Sequence, residues 1–320
     1  MLICEAFESH TQVIERDLDT GEERDLIRIE DHLEYLWIDL PLAGDRLIYT
    51  TPTSLMMIDL AGTAPQKREI VRVDLGMHAH NLPSISADGK RALLGQANQT
   101  SNGFVMVDVE AGRELHRMQW DWYANHFHFS PFDASWVGFC HEGPTENIPD
   151  RVQAWHAQYA PQGRCIFDQE PDAQGVRLCV GHERWNFHEV SALAVAYGVS
   201  PHGPRGLWKL DPQGPARLIS EANRDWHCNI SRDGRYAVVD TTGPYVLPGC
   251  GWENHQNISD ILLVDMRTGQ RTHLARTKLG AKQHCHPHPA FSPDGRWIVF
   301  NECVERSDRG ERSTVRFIKL

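Results

Sequence analysis

The chain has 320 residues, 41% of them hydrophobic, and a formal net charge of −11. That apolar content argues against disorder and supports a large core, while the acidic balance excludes an extended basic face for nucleic acid or an anionic membrane. Its eight cysteines stand without CxxC pairs and read as reduced thiols; the N-terminal Met1 to Glu8 lacks a secretory apolar stretch, and no window reaches transmembrane length, so a cytoplasmic protein is expected.

In chain order, Gln12 to Ile29, broken by the Asp19-Thr20-Gly21 turn, reads as an outer β-hairpin. From there a module recurs: a histidine-bearing lead, a short apolar strand, a Ser-x-x-Asp-Gly type turn and a second apolar strand. His78-Ala79-His80 leads into Ile85-Ser86-Ala87-Asp88-Gly89 and Arg91 to Leu94, and His126-Phe127-His128 leads into Phe129-Ser130-Pro131 and Trp136 to Phe139. His227 precedes Ile230-Ser231-Arg232-Asp233-Gly234 and Tyr236 to Val239; His288 precedes Phe291-Ser292-Pro293-Asp294-Gly295 and Trp297 to Phe300. Weaker copies start near His32 and His182. Each Asp-Gly pair is a hairpin turn, its glycine accepting positive φ. Third strands follow at Gly103 to Gly112 and Ile261 to Gly269, so the unit is a four-stranded meander.

The turns at Ser86 and Ser130 lie one period apart, those at Ser130 and Ser231 two, and those at Ser231 and Ser292 one with an insertion, for a propeller-like period of about 40 to 50 residues. The expected fold is all-β: a β-propeller of seven four-stranded blades, one domain over residues 1–320, with the N- and C-terminal segments closing the ring. In that geometry the first strand of each blade lines a central channel. His227 and His288 stand at one offset before the turn aspartate, and His286 and His80 at another, so these positions converge on the channel.

The segment Gln283-His284-Cys285-His286-Pro287-His288 is the densest local signal. Read as an extended strand, it puts His284, His286 and His288 on one face, at a spacing that closes on a cation, and Gln283 joins them only through a bend. Placed in the repeat, the segment forms one side of a site completed by His227, and His284 becomes a bystander.

Further clusters are Phe139-Cys140-His141-Glu142-Gly143-Pro144 followed by Asp150-Arg151, and His182-Glu183-Arg184-Trp185. Together with the histidine before the Asp233-Gly234 turn and the final Gln283 to Gly295 pattern, this set resembles the oligogalacturonate lyases, over about His126 to Phe300. The resemblance implies an intracellular seven-bladed propeller that cleaves short uronic-acid oligomers by β-elimination, with a divalent metal, typically manganese. It implies His227, Gln283, His286 and His288 as metal ligands, His182 as the base that takes the C5 proton, and Arg151 as a holder of a substrate carboxylate. His80, His141 and Arg184 are further candidates for substrate contact.

The residue types suit that chemistry: a proton α to a carboxylate leaves readily only when the carboxylate charge is offset and a base of near-neutral pKa is at hand. Three imidazoles and an amide form a neutral site that keeps the metal's full charge. His284 and Cys285 add donors that suit zinc or another transition metal. The stretch Trp185 to Tyr197 departs from the family pattern and makes His188 an alternative base. Trp122, Trp185, Trp226 and Trp252 are candidates for sugar stacking, and the insert Thr242 to Asn257, with Tyr245, Trp252 and His255, is placed to wall the cleft. The expected partner is a small acidic oligosaccharide, with neither nucleic acid nor membrane. Rival readings are a non-catalytic binding or scaffold propeller, a metal-dependent hydrolase or epimerase, and a lyase for another uronate.

Overall fold

The computed structural model describes residues 1–33, 36–62, 64–144, 147–169, 178–198, 200, 203–307 and 310–320. Over these residues the chain is built almost wholly of antiparallel strands, and its one helical element is the 3-10 turn Gln283–Cys285. No described helix is long and apolar enough to cross a membrane. Seven sheets of three to five strands follow one another along the sequence. The chain divides into two compact units, Met1–Glu142 with Trp155–Gln162, and Gly143–Ala154 with Gly163–Leu320. The division passes through the strands Val152–His156 and Ala160–Cys165.

In the first unit, Leu2–Ala6, Thr11–Arg16 and Glu23–Ile29 form one meander, and Arg46–Thr50, Ser54–Asp59 and Gln66–Arg72 a second. Arg91–Ala97, Asn102–Asp108 and Glu114–Trp120 build a third around the short leads His78–Ala79 and Ser84–Ile85, and Ala124–Phe129 pairs with Trp136–His141. In the second unit, Val180–Trp185, Ala192–Ala196, Gly206–Leu210 and Arg217–Glu221 form one four-stranded sheet. Asp225–Ile230, Tyr236–Thr241, Ile258–Asp265 and Arg271–Lys278 form the next, and Ala290–Phe291, Trp297–Ser307 and Gly310–Lys319 the last.

Inner strands such as Ala192–Ala196 and Tyr236–Thr241 read as near-continuous apolar runs because both of their faces are covered, whereas outer strands such as Ala160–Cys165 and Gly310–Lys319 are mostly exposed or half-buried. Side chains alternate across a strand, so Ala237 and Val239 pack with Leu193, Val195 and Leu207 on one side. Val238, between them, joins Ile261, Ile298 and Phe300 on the other. Leu93 and Leu94 divide in the same way in the first unit.

The turns take the expected form in three copies. Ser86, Ser231 and Ser292 each donate Oγ–H to the turn aspartate, Asp88, Asp233 or Asp294, at 2.6, 2.7 and 2.6 Å. The same oxygen accepts the main-chain N–H of Arg91, Tyr236 or Trp297, the first residue of the following strand. Gly89, Gly234 and Gly295 sit at φ of 71°, 69° and 71°. A Cβ on Gly295 would meet no heavy atom within 4 Å, so Gly295→Ala isolates the backbone term. It is expected to cost about 1–2 kcal/mol in urea denaturation, and an unchanged midpoint would show that this turn contributes nothing.

Candidate functional site

The histidine leads are not plain strands. In the pairing of Asp225–Ile230 with Tyr236–Thr241, Asp225 faces Thr241 and Cys228 faces Val239, so Trp226 and His227 share the single partner position of Asp240. The same two-against-one bulge places His182 and Glu183 between Gly181 and Arg184, and His126 and Phe127 between Asn125 and His128. A bulge bends the strand and re-aims a side chain. His182 and His126 take left-handed φ of 53° and 58°, and His288, between two prolines, takes 45°. Such conformations cost energy in a non-glycine residue and persist only when the surroundings hold them.

What holds them is clearest at Asp240, a carboxylate buried inside the apolar strand Tyr236–Thr241. It accepts the His227 main-chain N–H at 2.7 Å, the His227 Nδ1–H at 2.7 Å and the His288 main-chain N–H at 3.1 Å. Burial pushes its carboxyl up to about 6, and the adjoining histidines and these N–H donors pull the other way. With Nδ1 committed to Asp240, His227 turns Nε2 outward as the lone-pair nitrogen.

His227 Nε2, His288 Nε2 and both ring nitrogens of His286 are buried without a hydrogen-bond partner, and donor nitrogens of the three residues lie within 4.8 Å of one another. Leaving so many buried polar atoms unpaired is costly unless something else engages them. Burial also holds all three imidazoles below their ordinary pKa, His288 down to about 3, so they present neutral lone pairs. This donor set fits a divalent transition ion.

Residues 283–285 are not the strand expected from alternation. They form a 3-10 turn, in which His286 N–H bonds back to the Gln283 carbonyl at 3.1 Å. The turn breaks the alternation: His284 Nε2 pairs with the Glu311 carbonyl at 2.9 Å and Cys285 Sγ lies with Cys303 and Glu311, whereas His286 and His288 face His227. Gln283 is exposed at the head of the turn. All eight cysteines are free thiols.

The His182 ring stacks on His227, with centroids 4.3 Å apart and planes 13° from parallel. Its Nδ1–H is donated to the Trp226 carbonyl, which makes Nε2 the basic nitrogen. Burial, then the neighbouring His227, holds its pKa well below the ordinary value. Beside it, Gly181 has no room for a side chain: a Cβ there would collide with the Tyr197 hydroxyl and lie 3.1 Å from Arg151 Nε. Arg151 is buried and reaches the Gly143 carbonyl at 3.4 Å. Arg184 is exposed. His188 belongs elsewhere, packed against Gly234 at the turn end of the hairpin whose opposite end carries His227.

In the first unit, buried His80 donates Nδ1–H to Asn125 Oδ1 at 2.8 Å and stacks near Phe127. His141 ends its strand with its ring 4.3 Å from Trp122. Trp185 is buried and so cannot offer its face to a sugar. Trp226 and Trp252 are half-buried, with centroids 5.1 Å apart. Two participants escaped the sequence reading. Tyr197 closes an apolar strand without any polar neighbour to mark it; Asp240 left one signal, a lone carboxylate in the run Ala237 to Thr241.

Seven antiparallel sheets, three of them with bulged leads, and a histidine pocket that fits a divalent cation define the class, an all-β propeller of seven blades, as the sequence repeat predicts. A solved structure described as an oligogalacturonate lyase in complex with manganese superposes at TM-score 0.80 and 21% identity, over 100% of this chain and 85% of that one. An oligogalacturonate lyase structure from Vibrio parahaemolyticus gives 0.77 and 18%, over 94% of this chain and 82% of that one. The oligogalacturonate lyase family model matches residues 83–310, and the chain belongs to that family. The oligogalacturonate lyase of Dickeya dadantii (strain 3937) is 26% identical over 209 residues, 63% of this chain and 52% of its own length. The chain thus spans about half the length of the curated relatives it matches.

Asp240→Ala should weaken divalent-cation binding at the pocket by about 10- to 100-fold, as loss of a group that orients a ligand does, and calorimetric titration showing wild-type affinity would refute its orienting role. A second expectation concerns pH. Burial holds His80 down to about 4 against an ordinary 6.5, with the Asn125 hydrogen bond opposing and His78 and His126 adding to the depression. The unfolded chain takes up this proton first, so the contribution of His80 to stability is complete above about 6.5 and is lost as pH falls toward 4. Urea midpoints across that window should fall less steeply in His80→Gln, and parallel slopes would contradict the assignment.

Proposed function

We propose that this chain is a divalent-metal-dependent lyase that cleaves short uronic-acid oligosaccharides, oligogalacturonate first among them, by β-elimination. The observation that carries the reading is the convergence of partnerless nitrogens from His227, His286 and His288 beside a stacked His182 whose Nδ1 is already committed. Family membership and the manganese complex of a structural relative support it.

His227, His286 and His288 are the proposed ligands, with the Gln283 amide oxygen as the fourth. A cation held there would supply the positive charge that offsets a uronate carboxylate and acidifies the adjacent C5–H. His182 Nε2 takes the C5 proton, and the C5–H electron pair forms the C4=C5 bond. The C4–O bond breaks, the leaving oxygen keeps its electron pair and picks up a proton, and the product is a 4,5-unsaturated uronate. His182 is preferred over His188 because only His182 lies against the ligand cluster. Arg151, next to Gly181, adds a fixed positive charge for the carboxylate. His80, His141 and Arg184 remain proposed contacts for flanking sugar units.

Purified protein given digalacturonate and Mn2+ should gain the ultraviolet absorbance of an unsaturated uronate, and a chelator added beforehand should abolish that gain. Products should sum in mass to the substrate, since elimination adds no water. His182→Ala should cut the rate by about 10²- to 10⁴-fold while Mn2+ stays bound. Saturated products heavier by one water would establish a hydrolase instead, and no product together with no metal uptake would favour a binding or scaffold role.

A further inference from the structure

Arg224 is fully buried, at 2% exposure. Its guanidinium makes five hydrogen bonds, all to main-chain carbonyls of one loop. Nε donates to Leu247 at 3.3 Å, Nη2 to Pro248 at 2.8 Å, and Nη1 to Thr242, Gly251 and Glu253 at 2.9, 3.1 and 3.0 Å. The loop answers in kind: Thr242 N–H donates to the Arg224 carbonyl at 2.8 Å and Gly251 N–H to the Asn223 carbonyl at 3.2 Å. A Cβ on Gly243 or Gly249 would stand 3.0 or 3.3 Å from the guanidinium nitrogens, so the loop is fitted closely around the cation.

The clamped loop carries Trp252, half-buried, with its ring 5.1 Å from Trp226, 5.6 Å from His255 and 5.6 Å from His286. Trp226 and His227 follow Arg224 on the strand Asp225–Ile230. One residue therefore ties a flat aromatic wall to the strand that supplies the histidine pocket. We infer that Arg224 is a positioning residue that fixes Trp252 as a stacking wall for a pyranose ring bound at that pocket. The inference rests on the uronide reading above: a ring whose carboxylate is held at the histidines has its C–H face free for an aromatic surface.

The test is equilibrium binding of trigalacturonate to Mn2+-loaded protein, with Mn2+ affinity measured separately. Trp252→Ala should weaken trigalacturonate binding by about tenfold and leave Mn2+ affinity unchanged, and Trp252→Phe should recover most of the loss. Arg224→Met should reproduce the Trp252→Ala pattern. Arg224→Lys, which keeps the charge but not the fork, serves if Arg224→Met does not fold, and should show the same split between the two ligands. Wild-type trigalacturonate affinity in Trp252→Ala, or parallel loss of Mn2+ and trigalacturonate in the Arg224 variants, would overturn the inference alone. If loaded wild-type protein binds no trigalacturonate, the uronide reading fails and this inference with it.

Discussion

The histidine pocket depends on one buried carboxylate. Asp240 stands where two residues of the facing strand share a single partner position, so the His227 N–H has lost its ladder partner, and Asp240 Oδ1 replaces it at 2.7 Å. Its other oxygen takes His227 Nδ1–H and the His288 main-chain N–H. Three donors from two sheets thus meet on one side chain, which joins the bulge at Trp226 and His227 to the left-handed backbone at His288. Taking a carboxylate out of water is expensive, and burial does push its pKa up to about 6. Three N–H donors offset part of that expense, and the result is an imidazole whose tautomer and plane are both decided.

The bulge also couples neighbouring parts of the pocket. Trp226 lies in the two-residue bulge, and its carbonyl accepts His182 Nδ1–H. His182 in turn sits in the bulge of its own sheet and stacks on His227. The orientation of the proposed base is therefore set by the same local distortion that presents a proposed ligand. In the first unit a similar distortion at His126 uses a different acceptor: Asn125 Oδ1 receives both His126 N–H and His80 Nδ1–H. The fold repeats the distortion, and the side chain placed beside it differs from sheet to sheet.

The architecture was legible in the sequence because its determinants are local. A serine, an aspartate and a glycine in fixed order make these turns, and two-sided burial writes the inner strands as apolar runs, so Ser86, Ser231 and Ser292 located three hairpins from spacing alone. His227, His286 and His288 were legible for the same reason, standing at fixed offsets from those turns. What failed were features set by cross-strand register. Alternation treats Gln283 to His288 as a strand, but the chain makes a 3-10 turn there and sends His284 to Glu311. The contest between His182 and His188 was closed to one-dimensional reading, because both follow the strand start at Val180 and only pairing shows which end of the next hairpin each one meets. Asp240 was hidden because one polar residue at the end of a strand has many ordinary explanations.

Charge accounting gives the pocket its chemical bias. The three imidazoles are kept neutral by burial, so a divalent ion among them would retain its charge except for the one unit offset by ionised Asp240 behind His227. A direct carboxylate ligand would have neutralised more of it at shorter range, since the interaction falls with distance in a poorly screened interior. Placing the acid one imidazole away keeps the ligand oriented and leaves a net positive field for an anionic sugar. In the proposed elimination, negative charge on the uronate carboxylate grows as C5 loses its proton, so a pocket that turns net positive charge toward that carboxylate favours the transition state over the bound ground state. Arg151 beside Gly181 adds to the same bias. A scaffold that merely lined a pocket with polar groups would gain nothing from holding its acid one residue back.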